Sequence, residues 1–88
     1  MKIKVTREHI ERGTREFGQF PAACRCPVAH ALAERFPHAR LRSYPFPALV
    51  NAGRIVIGRA TFASPPEVTA FVIAFDNDDP VQPFTFDL

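Results

Sequence analysis

The sequence predicts one small α+β domain spanning residues 1–88, and three observations carry that expectation. Apolar and polar residues alternate at both ends of the chain, with Ile3 and Val5 in KIKV and Phe84, Phe86 and Leu88 in QPFTFDL. That is the two-residue period of a half-buried strand. Val68, Phe71, Val72 and Phe75 recur at i, i+3, i+4 and i+7, the stripe of a helix facing a core. The length of 88 residues, 47% hydrophobic and 23% charged, suits one globular unit with a modest core. The expected architecture is an antiparallel or mixed sheet of about four to five short strands. Two main helices, at about 27–36 and 65–76, and a short N-terminal helix pack with it.

The elements follow in chain order. KIKV is the first strand, and Thr6 can cap a two-turn helix in TREHIERG, with Ile10 buried and Gly13 at its C-terminal end. Residues 13–24, GTREFGQFPAAC, form an irregular stretch that Phe17 and Phe20 anchor. Proline is favoured at the first helical position because its missing N–H needs no partner there. Pro27 therefore starts a helix that runs to about Phe36, with Val28, Ala31, Leu32 and Phe36 as its apolar stripe and His30 and Glu34 able to pair at i, i+4. Pro37 ends it.

Residues 39–44, ARLRSY, alternate as a strand that places Arg40, Arg42 and Tyr44 on one face. Pro45 and Pro47 around Phe46 read as an edge or an irregular crossing. Asn51-Ala-Gly53 is a turn, Arg54–Ile57 a strand, Gly58-Arg59 a hairpin turn with glycine first, and 60–62 the returning strand. Ser64-Pro-Pro-Glu67 reads as a capping box opening the last helix. That helix ends near Asp76-Asn77, with asparagine in the left-handed region. The final strand is free to pair with the first.

Charge is unevenly placed. Residues 1–59 carry all eleven Lys and Arg against four Glu, and residues 60–88 carry five acidic residues and no basic one, for a net charge of +2. One half could attract an anionic ligand, or the two halves could meet, within a molecule or between copies in a homo-oligomer. No stretch approaches the roughly 18 apolar residues that span a bilayer, and the N-terminus reaches charged residues at once, unlike a secretory signal. The expected setting is the cytoplasm, with no membrane partner.

Two residue groups are candidates for function. Arg40, Arg42, Tyr44, Arg54 and Arg59 form a guanidinium surface with one aromatic if their strands are neighbours. Guanidinium forks suit phosphate and carboxylate, and nine Arg stand against two Lys. The second group is in ACRCPVAHA. Cys24, Cys26 and His30 could ligate a metal, although structural zinc usually takes four ligands and no second cysteine pair exists. A cysteine at a helix N-terminus gains thiolate character, whereas a buried cysteine serves as a small core hydrophobe. The core reading is preferred, and no metal or cofactor is assigned. Asp76-Asn-Asp-Asp79 lacks the glycine and closing glutamate of a calcium loop. No Ser/His/Asp spacing, glycine-rich phosphate loop or pair of facing carboxylates points to catalysis, so no enzyme is expected.

Val5-Thr-x-x-His9-Ile-x-x-Gly13, Cys26-Pro-Val-Ala29-x-Ala31 and Phe75-Asp76…Pro80-Val-x-Pro-Phe-x-Phe86 cover most of the chain. In these the sequence resembles a group of small bacteriophage-encoded proteins. The resemblance implies an accessory protein that acts stoichiometrically in the host cytoplasm. Such a protein inhibits or sequesters a host component, either a protein or an anionic small molecule such as a nucleotide. A nucleic-acid-binding accessory protein and a cysteine-centred metal or thiol protein are the alternatives.

Overall fold

A computed structural model describes residues 1–16, 25–42 and 46–88. Its elements are β1 (Lys2–Val5), α1 (Arg7–Arg15), α2 (Pro27–Arg35), β2 (Ala48–Val50), β3 (Arg54–Ile57), β4 (Ala60–Ala63), α3 (Pro66–Asp76) and β5 (Phe84–Asp87). This is the expected α+β class, with the strands divided between two antiparallel sheets. One sheet pairs the chain ends, β1 with β5, in the register Ile3↔Phe86 and Val5↔Phe84. The other has the order β2-β3-β4. Helix α2 packs against both β1 and β2 and so bridges the sheets.

One core serves both sheets. Ile3, Val5, Val28, Leu32, Val50, Ile55, Val68 and Phe86 are all buried in a single cluster. The predicted α3 stripe faces it, with Val68, Phe71 and Val72 buried and Phe75 packed alongside. The Phe71 ring stacks at a tilt on Phe84, centroid to centroid 4.8 Å, which ties α3 to the terminal sheet.

Helix α1 is capped reciprocally. Thr6 Oγ1 accepts from the His9 N–H at 3.3 Å, and His9 Nδ1 accepts from the Thr6 N–H at 3.0 Å. Histidine here takes the place of the usual Glu or Gln of a capping box. Gly13 does not end the helix as the sequence suggested. It is buried inside it, where a Cβ would stand 2.7 Å from the Arg25 carbonyl oxygen and 3.1 Å from the Pro27 ring. The glycine is there for close approach to the start of α2.

Three other local expectations are corrected. Residues 39–42 are not strand; Leu41 N–H instead donates to the Phe46 carbonyl, and the pairing strand is β2. Two-residue alternation over so short a polar window did not distinguish a strand from an irregular crossing. Ser64 does not cap α3. Pro65 is the N-cap, its carbonyl accepts from Val68 and Thr69, and the Ser64 hydroxyl donates 2.9 Å to the Asn51 carbonyl. Consecutive prolines remove two of the N–H groups that a cap would satisfy. At the far end Asn77 keeps φ −88°, and Asp78 takes the left-handed φ of 60°.

The middle hairpin matches expectation. Gly58 has φ +56°, as a two-residue turn with glycine first requires. The Asn51 side chain accepts from the Gly53 and Arg54 N–H groups, each at 2.9 Å, and so sets the β2–β3 turn. The Phe17 and Phe20 anchors fall outside the described residues.

Candidate functional site

Strand alternation decides which side chains leave the core. In β3, Ile55 is fully buried, so its neighbours Arg54 and Val56 point to the outer face of the three-stranded sheet. Leu49 on β2 and Thr61 on β4 stand directly beside Val56 in the register, completing a row across that face. Beyond the row, the Gly58-Arg59 turn meets the segment carrying Arg40, Leu41 and Arg42. A Cβ on Gly58 would lie 3.6 Å from Ala39 Cβ and 3.7 Å from the Arg40 carbonyl oxygen. The Gly58 N–H donates to the Pro47 carbonyl at 3.0 Å and fixes the turn against the start of β2.

The result is a pocket of about 470 Å³ on the outer sheet face. Leu49 and Val56 form its floor, Leu41 and Gly58 one wall, and Arg42, Arg54 and Arg59 its charged rim. None of these three guanidiniums has an ion-pair partner among the described residues. Three like charges around an aliphatic floor repel one another, and the low-dielectric wall strengthens the field of each. An anion bound there relieves that repulsion.

Three of the five arginine-surface residues from the sequence therefore come together. Arg40 does not join them: its Nη1 donates to the Pro37 and Ala39 carbonyls, at 3.1 and 2.7 Å, beside its own segment. The strand that was to align Arg40 with Arg42 does not form. Tyr44 lies outside the described residues. Leu49, Val56 and Leu41 escaped the sequence reading. Only the β2–β3 register, which follows from the Asn51 turn, could have revealed Leu49 and Val56 as a cross-strand pair.

The cysteine–histidine stretch takes a different form. Cys26 is the N-cap of α2 and is 2% exposed. Burial pushes its thiol up to about 11, against a smaller lowering by the Val28 and Ala29 N–H groups. Desolvation thus outweighs the helix N-terminus that argued for a reactive thiolate. Cys24 lies outside the described residues. Among the described residues no three His, Cys, Asp or Glu side chains are grouped to hold a metal ion.

His30 and Glu34 do not pair with each other. Each reaches across to α1 instead: Glu34 Oε2 lies 3.0 Å from His9 Nε2, and His30 Nε2 lies 2.8 Å from Glu16 Oε1. The two histidine–glutamate contacts leave α2 from positions one helical turn apart and both reach the stretch 9–16. The His30–Glu16 contact is at ion-pair distance. Burial holds the His30 pKa below the ordinary histidine value, and the Glu16 carboxylate opposes that shift.

No protein-family model, curated protein or solved structure matches the chain. Among the described residues no helix is long and apolar enough to cross a membrane.

Proposed function

We propose that this chain is a non-enzymatic binding protein that holds an anionic small ligand in the arginine pocket. Its action is that of a small phage accessory protein sequestering a component of the host cell. The observation that carries this reading is the placing of Arg42, Arg54 and Arg59 around one pocket with no carboxylate partner among the described residues. Guanidinium forks bind phosphate and carboxylate with two parallel hydrogen bonds. A volume of about 470 Å³ falls in the range of small-molecule sites. Stoichiometric capture needs only this site, whereas His9, Glu16, His30 and Glu34 are spent on fastening α1 to α2.

The test is isothermal titration with pyrophosphate and with ATP on the intact chain. Binding is expected in the natural protein, weakened at least about tenfold by Arg42→Glu or Arg59→Glu. Arg40→Glu is expected to bind as the natural protein does, because Arg40 lies off the rim. Equal loss in all three variants would reduce the effect to net charge and remove the pocket; no binding of either anion would remove the anionic ligand.

A further inference from the structure

We infer that the ligand of this pocket is an elongated organic anion charged at both ends, with an aliphatic middle lying across Leu49 and Val56. The inference rests on the reading of the pocket as an anion site and specifies what kind of anion fills it.

The rim is polarised. Arg54 opens β3 and Gly58 follows its end. Four residue steps at ~3.3 Å each place these two positions about 13 Å apart along the strand. Arg59 belongs to the Gly58 end by sequence. Arg42 belongs there too, because Leu41 N–H is bound to the Phe46 carbonyl and the Arg40 backbone borders Gly58. By backbone position, two of the arginines therefore stand at the hairpin end and one at the opposite end.

Between the ends lies the cross-strand pair Leu49↔Val56, both half-buried on the outer face. A compact inorganic anion can engage one end but leaves this floor exposed and the other charge unanswered. A fatty monoanion covers the floor but satisfies only one end. The complement to the whole pocket is a dicarboxylate or bisphosphate whose charged groups are separated by an apolar chain or ring. The stronger charge belongs at the Arg42–Arg59 end, where two arginines line the pocket.

The experiment is competition and isothermal titration with three probes, succinate, suberate and octanoate. Succinate has both charges but too short a body, octanoate has the body but one charge, and suberate has both. Suberate is expected to bind about tenfold more tightly than either, since it alone buries the methylenes and meets both ends. Arg54→Gln is expected to bring suberate to the octanoate level while thermal melting stays unchanged. The probe series on the natural protein stands independently of that variant. Should succinate or octanoate match suberate, the two-ended ligand is wrong, while an anion held at the Arg42–Arg59 end keeps the proposed function standing. If none of the three binds and pyrophosphate and ATP also fail, both readings fall together.

Discussion

His9 joins two helices through its two ring nitrogens. Nδ1 accepts the Thr6 N–H at the start of α1, and Nε2 faces Glu34 Oε2 near the end of α2 at 3.0 Å. A ring nitrogen that accepts a backbone N–H carries no proton, so the proton sits on Nε2 and points to the carboxylate. The ring itself is buried, while the Glu34 side chain is 70% exposed.

That asymmetry locates the energy. A contact to a carboxylate that stands mostly in water is worth about 0–1 kcal/mol, whereas losing a cap and leaving its N–H unpaired costs ~1–3 kcal/mol. His9→Ala is therefore expected to destabilise the domain by about 2 kcal/mol, and Glu34→Gln by under ~0.5 kcal/mol. Urea unfolding midpoints of the two variants decide the matter, and equal losses would place the stability in the His9–Glu34 contact instead.

The second histidine contact sets a pH dependence. Burial lowers the His30 pKa from its ordinary value of 6.5, with Arg12 and His9 acting in the same direction and Glu16 against it. A base with a depressed folded pKa binds fewer protons folded than unfolded just below that ordinary value. Its stabilising neutral form is fully present above 6.5, and stability is lost as pH falls below it. The urea midpoint of the natural protein is expected to drop more than that of His30→Gln between neutral pH and pH ~5. Titration of the His30 ring protons by NMR gives the site directly; a midpoint at or above 6.5 contradicts the expectation.

Legibility in the sequence followed the range of the interactions. β1, β5 and α3 were readable from their periodic patterns, and the β3–β4 hairpin because pattern and turn residue agreed locally. Where two local solutions competed, the reading failed. Ser64 could cap α3 or tie back to Asn51, and the tie is made across thirteen residues. His30 and Glu34 lie at helical spacing, yet α1 supplies each with another partner. The pocket was half legible for the same reason. Arg54 and Arg59 come from the strand and turn of a hairpin that announces itself, but Arg42 arrives by the packing of its segment on Gly58.

Gly13 carries a prediction against helix propensity. An exposed helix interior gains about 1 kcal/mol when glycine becomes alanine. Here the new Cβ would stand 2.7 Å from the Arg25 carbonyl oxygen, a backbone atom that moves only with the start of α2. Gly13→Ala is expected to lower the thermal midpoint, since overpacking of ~1–3 kcal/mol exceeds the propensity gain. A raised midpoint would show that α1 and α2 slide apart freely.

Cys26 offers the last test, because its helix position and its burial predict opposite chemistry. The N-terminus of α2 favours a thiolate, and the Val28 and Ala29 N–H groups act that way. Burial acts more strongly and leaves the thiol at about 11. At pH ~8 only about one thiol in a thousand is then ionised, against about a quarter for an ordinary cysteine. In a Cys24→Ser background, the aromatic disulfide reagent DTNB is expected to label Cys26 at least about a hundredfold more slowly in the folded protein than in urea. The folded rate should rise with urea in step with unfolding. Rapid labelling of the folded chain would instead mean that the helix terminus controls this sulfur, and Cys26 would return as a reactive site.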